Sequence, residues 1–209
     1  MIAVTAHDQA VIIFPGMSSS AWTRVPVTRT HLELHTRAAL RPARAPMALP
    51  SLHRRRPIGA PEYRDLYALV GSRWLWRDRL LWTDDELDAY LAARNVHVWT
   101  MHVDGDVAGY FELQHHANGA VEVMYFGLAP SYMGRGLGGW MLTRAVEEAF
   151  ALGGTRVILN TCTLDAPQAL PNYIARGFTI VREERYSVDV ATALVAQAEG
   201  ATEGAGEGH

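Results

Sequence analysis

Residues 121–139 read VEVMYFGLAPSYMGRGLGG and contain the strongest structural signal of the chain. An apolar run ends at Ala129-Pro130, and a glycine-rich turn follows it. Glycines in such a turn let a ligand approach the main chain closely. The first N–H groups of a helix lack partners and attract anions, so the pattern predicts a phosphate site where the next helix begins. That helix is predicted by apolar residues at a spacing of about 3.6, namely Leu137, Met141, Leu142, Ala145, Val146, Ala149 and Phe150.

Two kinds of cofactor fit a glycine-rich loop of this kind. Gly134-x-Gly136-x-x-Gly139 satisfies the dinucleotide fingerprint, but that pattern alone is weak. In a nicotinamide-binding unit the first glycine follows the strand directly, and an acidic residue after the next strand binds the ribose. Here residues 129–133 separate the strand from the glycines, and the next predicted strand ends in Asn160-Thr161-Cys162. The nicotinamide interpretation is therefore the weaker one.

Met133-Gly-Arg-Gly136-Leu-Gly138 resembles the acetyl-coenzyme A loop of the GNAT N-acetyltransferases, Arg/Gln-x-x-Gly-x-Gly/Ala. Residues 169–178, ALPNYIARGF, are similar to the family's second signature, Ala-x-x-x-Tyr-x-x-x-Gly-Phe. The resemblance covers residues 96–186 well and residues 30–95 in outline. It implies the GNAT fold, of α/β (α+β) class, with a mixed and mostly antiparallel sheet flanked by helices and acetyl-CoA as co-substrate. Met133 departs from the usual Arg or Gln, and Ala166 replaces an asparagine that touches the cofactor in many members.

Composition narrows the classes of function. A chain of 209 residues can bury one domain core, and its single cysteine excludes an intrachain disulfide. The net charge of −3 gives no global attraction to nucleic acid. No stretch reaches the ~18 apolar residues of a membrane helix, and the first residues lack the basic start of a secretory signal. We expect a cytoplasmic protein without nucleic-acid or membrane partners, for which a homodimer is compatible with the sequence.

The pattern along the chain predicts three regions. Residues 1–29 are expected to be a poorly ordered extension, residues 30–190 the acetyltransferase domain, and residues 191–209 a disordered tail rich in alanine, glycine and glutamate. Periodicity predicts strands at 30–35, 96–103, 107–114, 121–128, 156–162 and 178–188, and helices at 61–80, 87–93, 136–152 and 166–176.

Residues 37–95 hold fewer signals. The proline- and arginine-rich residues 37–61 are expected to be an irregular loop, and Thr83-Asp-Asp-Glu86 is a capping box that opens a helix. Trp74, Trp76 and Trp82 either pack the helices onto the sheet or line the acceptor pocket.

A predicted hairpin at Asn118-Gly119 determines which side chains share a face. With a two-residue loop, Ala117 pairs with Ala120, and Glu122 lies opposite His115. Counting by twos then places Glu122 on one face with Phe111, Leu113, Met124 and Phe126, while Glu112 points to the other face.

Acetyl transfer to an amine needs a base, because a primary amine is mostly protonated at neutral pH. Glu122 is the candidate base, since it lies where the histone-acetylating branch of the family, which this strand resembles, carries its catalytic glutamate. Burial on an apolar face would raise the pKa of its carboxyl group toward the value that a base requires. The alternatives are a strand glutamate paired with His115, and Glu112 as the base.

The resemblance implies the other roles. Tyr173, in the second signature, is the expected general acid beside the coenzyme sulfur. Phe126, Gly127 and Leu128 would lie along the pantetheine arm as if it were an added strand, with the Leu128 N–H as oxyanion donor. The loop expected to hold the pyrophosphate consists of Met133, Gly134, Arg135, Gly136, Leu137, Gly138 and Gly139.

Other candidates are weaker. Cys162 is expected to be a buried small hydrophobe rather than a nucleophile. His115 and His116 occupy adjacent strand positions and point to opposite faces, so we predict no metal site. Asp165 is the expected N-cap of the helix at 166–176, with Pro167 in its first turn.

The sequence thus predicts an N-acetyltransferase that moves an acetyl group from acetyl-CoA to a primary amine by direct attack. The alternative from another class is a GNAT-like module that binds acyl-CoA as a sensor without turnover. A small-molecule acceptor is favoured over a protein, because the body of the chain is neutral and three tryptophans lie in the region that would form the acceptor pocket.

Overall fold

The computed structural model describes residues 22–47, 49–74 and 76–191. In chain order, the helices and strands of this part are β1 (Trp22–Leu34), β2 (Ser51–Arg55), α1 (Ala60–Gly71), α2 (Asp84–Ala92), β3 (Val96–Val103), β4 (Asp106–His115), β5 (Ala120–Leu128), α3 (Leu137–Ala151), β6 (Arg156–Cys162), α4 (Ala169–Ala175) and β7 (Thr179–Ala191). The strands form a sheet in the order β2-β3-β4-β5-β6-β1-β7. Its neighbours are antiparallel except β5 and β6, which are parallel. The predicted fold class is confirmed.

Two helices cover one face of the sheet at the β2–β5 end. Tyr63 of α1 contacts Tyr110 of β4 with ring centroids 6.0 Å apart. Tyr90 of α2 donates a hydrogen bond to Glu112, two residues further along β4. Because side chains alternate along a strand, Tyr110 and Glu112 share a face. We name it the α1 face.

The other two helices cover the opposite face. Phe111 of β4 pairs with Phe126 of β5, so both side chains lie on the face that Glu112 does not occupy. Tyr173 of α4 contacts Phe126 with ring centroids 6.4 Å apart, and Asn172 Nδ2 donates to the carbonyl of Gly138 in α3 at 3.4 Å. We name this side the α3 face. The buried residues of α3 include most of the predicted apolar stripe: Leu137, Met141, Leu142, Ala145, Val146 and Ala149.

The first strand starts earlier than predicted. β1 begins at Trp22, so the predicted extension over residues 1–29 is wrong for residues 22–29. Among the described residues, β7 is the one pairing partner of residues 22–28, because the pairing with β6 starts at Arg29. A strand with one neighbour buries fewer side chains, which weakens the apolar alternation in the sequence. Residues 1–21 and the predicted tail from 192 onward lie outside the described residues.

The region before β3 differs from the prediction in two places. Residues 51–55 form the edge strand β2 rather than an irregular loop, and charged side chains such as Arg54 are typical of sheet edges. The helix predicted at 61–80 ends at Gly71 and is followed by short turns at Ser72–Trp74 and Asp78–Leu81. Trp76 packs against Gly71, where an added Cβ would lie 2.5 Å from its ring.

The capping box is confirmed. The Glu86 N–H donates to Thr83 Oγ1 at 3.3 Å, and the Thr83 N–H donates to Glu86 Oε2 at 2.8 Å. These two bonds satisfy donors that would otherwise be unpaired where α2 begins. No helix in the described part of the chain is long and apolar enough to cross a membrane.

Arg79 anchors the turn Asp78–Leu81 to the sheet. Glu112 is fully buried and accepts hydrogen bonds from the hydroxyls of Tyr63 and Tyr90 and from Arg79 Nη2, the last at 3.4 Å. The Arg79 guanidinium also lies 4.1 Å from the ring centroid of Trp82. Burial alone would lower the pKa of Arg79, but the charge of Glu112 and its tyrosine neighbours raises it above its ordinary value. Glu112 is therefore an enclosed counter-ion with no access to a ligand.

Replacing Arg79 should destabilise the protein strongly. Arg79→Leu leaves the Glu112 carboxylate buried without its counter-ion, which typically costs about 3–5 kcal/mol. The free energy of unfolding from urea denaturation measures this cost. Glu112→Gln in the Arg79→Leu background should recover part of it, because the buried charge is then gone. A matched surface change, Arg144→Leu on α3, removes exposed pairs with Glu147 and Glu148 and should cost under about 1 kcal/mol. Equal costs for the two arginines would contradict the assignment.

Candidate functional site

The parallel strands β5 and β6 separate part-way along their length. They pair at Ala120↔Arg156, Val121↔Val157 and Glu122↔Ile158. Among the described residues the pairing stops there, although β5 continues to Leu128 and β6 to Cys162. A gap therefore opens between residues 123–128 and residues 159–162, and Glu122 lies at its closed end.

The main chain of β5 presents unpaired groups to this gap. Ala129 N donates to Ala108 O at 2.9 Å, so that N–H points toward β4. Successive N–H groups along a strand point in opposite directions, so the Leu128 and Phe126 N–H groups point into the gap. This edge can accept an extended ligand as an additional strand. Gly127, between them, packs against Val70, whose Cγ1 would lie 2.4 Å from an added Cβ.

The β4–β5 hairpin has a longer loop than predicted. His116 N donates to Ala120 O at 2.8 Å and Gly119 N donates to His116 O at 3.0 Å, which leaves three residues in the loop. Gly119 has φ +81°, the left-handed conformation that such a loop requires. As a result, Glu122 pairs with Gln114, and the predicted pairing with His115 is wrong.

The longer loop moves Glu122 to the other face. Gln114 and Glu112 alternate onto the α1 face, and Glu122 shares it with them. The predicted apolar neighbours Phe111, Leu113 and Phe126 lie on the α3 face instead. The pairing shifts by one residue between Glu112 and Leu113, which forms a bulge. Because of this bulge, the residues at both ends of β5 lie on the same faces as their partners in β4.

Glu122 faces an open cavity on the α1 face. The cavity has a volume of about 370 Å³, and its lining residues come from β1, β5, β6 and β7. The Glu122 side chain is 19% exposed, and its Oε2 lies 2.9 Å from His116 Nε2. The contact with Glu122 is therefore made by His116 and not by His115, the partner predicted from the sequence. The carboxylate is accessible from solvent and has a titratable partner.

Tyr173 lies on the α3 face beside β5 and is buried, with only 1% of its surface exposed. Its ring packs against Phe126 and Phe178, with ring centroids 6.4 Å and 6.2 Å apart. Burial, and secondarily the charge of Asp165, raises the pKa of Tyr173 well above its ordinary value. The phenol is therefore neutral at physiological pH and retains a proton to donate.

The glycine-rich loop leaves open space at the start of α3. Gly136 is the N-cap with φ +74°, and Gly134 has φ +73°. Apart from the adjoining residues, no atom of the described part of the chain lies within 4 Å of a Cβ added at either position. Gly136 has no side chain to accept from the first turn, so the N–H groups of residues 137–139 remain available to an anion. The Arg135 guanidinium, within this loop, lies 4.9 Å from the ring centroid of Tyr132, the residue that precedes Met133.

The sequence matches the acetyltransferase (GNAT) family over residues 63–178, more than half of the chain. The chain belongs to the GNAT family. A search of curated proteins finds no match.

Solved structures share the GNAT fold. A GCN5-related N-acetyltransferase from Kribbella flavida is 19% identical with a TM-score of 0.57, and the match covers 84% of this chain and 63% of that one. One from Sphaerobacter thermophilus is 12% identical with a TM-score of 0.57, covering 82% and 55%. An aminoglycoside acetyltransferase from an uncultured soil metagenomic sample is 13% identical with a TM-score of 0.50, covering 61% and 86%. At identities this low, the structural matches show the fold alone. This chain spans less than two thirds of the length of the first two proteins.

Asn172 of α4 and Arg176, the residue that caps the end of α4, adjoin the glycine-rich loop and were missed from the sequence. Asn172 bonds the Gly138 carbonyl, and a Cβ at Gly139 would lie 2.4 Å from Arg176 Nη1. Gly139 thus makes room for a guanidinium rather than for a ligand. The Arg176 Nε is buried and has no partner among the described residues. The i, i+4 spacing of Asn172 and Arg176 was the available signal, since it places both on one side of α4.

The remaining predictions concern Cys162 and Asp165. Cys162 is buried, and burial together with the charge of Asp165 raises the pKa of its thiol to about 11, so it is an inert thiol as expected. The predicted N-cap is wrong: α4 starts at Ala169, and Asp165 instead accepts from Thr161 Oγ1 at 2.6 Å. Within the described ranges no group of three or more His, Cys, Asp or Glu side chains has a metal-binding arrangement.

Gly138→Val should abolish binding of a pyrophosphate ligand such as coenzyme A. A Cβ at Gly138 fits, 3.8 Å from Leu128 and 3.9 Å from Asn172, so the fold tolerates the side chain. The added methyl groups extend from the first turn of α3 into the space between β5 and α4. Calorimetry with coenzyme A should show at least about a hundredfold loss of affinity, the weight of about two charge-assisted hydrogen bonds.

Gly138 is a cleaner position than Gly136, where φ +74° strains any other residue. The control is Ala151→Val, an exposed position at the far end of α3 that introduces the same side chain. Unchanged coenzyme A affinity in folded Gly138→Val protein would exclude this loop as the phosphate site.

Proposed function

We propose that the protein transfers an acetyl group from acetyl-CoA to a primary amine of a small molecule, by direct attack. The observation that carries this proposal is the gap between β5 and β6. Glu122 lies at its closed end on the α1 face, and Tyr173 packs against Phe126 of β5 on the α3 face. In this proposal the base and the acid act from opposite faces of the sheet.

Acetyl-CoA, when bound, supplies the acetyl group as an activated thioester. The residues present fit such a ligand: residues 126–128 offer an unpaired strand edge for the pantetheine arm, and the first turn of α3 offers N–H donors for the pyrophosphate. Arg135 and Arg176 add positive charge beside that turn. The Leu128 N–H, which points into the gap, is the donor for a developing oxyanion.

Glu122 acts as the general base on the acceptor side. The attacking amine must lose a proton to become nucleophilic, and a carboxylate that lines an open cavity can receive it. His116 Nε2, 2.9 Å from Glu122 Oε2 and partly exposed, orients the carboxylate and connects it to solvent. A solvent-accessible carboxylate at this point favours an enzyme over a module that binds acyl-CoA without turnover.

Tyr173 acts on the cofactor side. When the carbon–sulfur bond breaks, the sulfur takes up the electron pair, and the phenol donates its proton to it. The raised pKa of Tyr173 keeps this proton in place until the negative charge develops. Attack forms the carbon–nitrogen bond, and the nitrogen loses two protons between the ammonium ion and the amide. Glu122 takes the first proton and releases it to solvent, the second leaves to solvent after the attack, and solvent restores the proton that Tyr173 gives to the thiolate.

Glu122→Gln should lower turnover by about 10²-fold at neutral pH, the usual weight of a general base. The loss should shrink as pH rises from about 7 to 10, because a free amine with a pKa near 10 then forms without help. Release of the free thiol over a broad panel of amines measures the rate and identifies the acceptor.

The control for this change is Glu148→Gln, a carboxylate on the surface of α3 that pairs with Arg144. It should leave turnover unchanged at every pH. A pH-independent loss in Glu122→Gln would mean that Glu122 stabilises the fold instead.

Tyr173→Phe should lower kcat and kcat/KM together by roughly 10- to 100-fold, or about 1.4–2.7 kcal/mol of barrier. The ring contacts with Phe126 and Phe178 survive, so stability and coenzyme A affinity should change little. Tyr186→Phe on β7, which removes only the hydroxyl that accepts from Arg29, is the matched control. A higher KM with unchanged kcat would make Tyr173 a binding residue.

A further inference from the structure

The open part of the α1 face carries a second carboxylate beside Glu122. Ile158 of β6 pairs with Glu122 on one side and with Glu33 of β1 on the other. Partners on neighbouring strands share a face, and all three residues line the cavity of about 370 Å³. With neighbouring strands about 4.8 Å apart, the Cα atoms of the two glutamates lie about 10 Å apart.

In both glutamates the contacts with basic side chains involve only one of the two carboxylate oxygens. His116 Nε2 contacts Oε2 of Glu122 at 2.9 Å. Arg156 Nε and His35 Nδ1 contact Oε2 of Glu33 at 3.7 Å and 3.5 Å. Oε1 takes part in none of these contacts, so both glutamates can accept a hydrogen bond from a ligand in the cavity.

Asn160 adds a third acceptor. It lies two residues beyond Ile158 on the same face of β6 and lines the same cavity. The residue is 8% exposed, and its Oδ1 is buried without a hydrogen-bond partner among the described residues. An unpaired buried acceptor is costly, and a ligand N–H would satisfy it.

The positive charge at the rim faces a carboxylate outside the cavity, Glu184, which Arg29 Nη1 also approaches at 4.0 Å. Arg182 lines the cavity, is 62% exposed and forms an ion pair with Glu184. Glu184 Oε1 also lies 3.6 Å from His31 Nε2. The floor of the cavity therefore presents two carboxylates and an amide oxygen, which is a set of acceptors suited to ammonium groups.

We propose that this cavity binds an acceptor with two amino groups, an aliphatic diamine or polyamine. The inference rests on the proposed function, because Glu122 takes the reacting amine. Glu33 holds the second amine as an ammonium ion, which stays charged at neutral pH. Asn160, beside the gap, accepts a hydrogen bond from the amine that reacts. Glu33 is thus the residue that selects a diamine over a monoamine.

Calorimetry with 1,4-diaminobutane and butylamine on the full chain tests this selection. The wild-type protein should bind the diamine at least about tenfold more tightly than butylamine, the weight of one hydrogen bond between charged groups. Glu33→Gln should remove this preference by weakening diamine binding about tenfold, with butylamine within about twofold. Asn160→Leu should weaken both ligands, since it acts on the amine that they share.

The control is Glu183→Gln on β7, an exposed glutamate outside the cavity whose Oε1 lies 3.5 Å from Thr30 Oγ1. It should leave both affinities unchanged. Equal wild-type affinities for the two ligands, or an equal loss for both in Glu33→Gln, would overturn the inference.

A separate assay of thiol release from acetyl-CoA distinguishes this inference from the proposed function. Selective diamine binding without thiol release would support the ammonium site and contradict the transferase. Thiol release with monoamines as fast as with diamines, unaffected by Glu33→Gln, would support the transferase and overturn the diamine site.

Discussion

The separation of β5 from β6 is the constraint on which the rest of the structure depends. Two parallel strands that paired along their whole length would satisfy each other's main chain and leave nothing for a ligand. Here the pairing stops at Glu122 and Ile158, and the N–H groups of residues 126 and 128 remain directed at open space. The first turn of α3 lies just beyond the end of β5, so unpaired strand donors and unpaired helix donors follow each other along one path. In the proposed function, the pantetheine arm and the pyrophosphate of acetyl-CoA lie along this path, and Arg135 and Arg176 add positive charge beside it.

Two glutamates on the α1 face show how cover by helices determines the role of a carboxylate. Glu112 lies beneath α1 and α2, where Arg79 and two tyrosine hydroxyls enclose it. The Glu112 carboxylate therefore stabilises the fold and cannot contact a ligand. Removing Arg79 would leave this carboxylate buried and unpaired, which is costly. Glu122 is on the same face one strand away, where the helices end and the cavity begins. There the carboxylate is accessible from solvent, as its proposed role in proton transfer requires. The Arg79–Glu112 pair holds the neighbouring turn in place and so sets the limit between covered and open sheet.

Much of the fold could be predicted from the sequence, because patterns of neighbouring residues indicate most of its helices and strands. The stripe of α3, the capping box at Thr83 and the strand at residues 156–162 each depend on neighbours within a few residues. β1 and β2 were missed or shortened because edge and one-sided strands bury little and leave a faint pattern. The face of Glu122 could not be predicted because one extra loop residue reverses every later position. The contact of Glu33 with the same cavity joins residues far apart in the chain, and no local pattern records that.

The two sides of the gap also differ in what recognises a ligand. On the α3 face, the proposed recognition uses main-chain donors at the start of a helix, and a ligand can approach them closely only where glycines precede the helix. These glycines form a motif that can be recognised in the sequence. On the α1 face the cavity is lined by strand side chains from β1, β5, β6 and β7, and any residue type that suits a strand can occupy those positions. A change such as glutamate to glutamine at residue 33 would alter the ligand without altering the sheet. In the proposed site, a few scattered side chains would select the acceptor, and only the register of the sheet brings Glu33, Ile158 and Glu122 into one row.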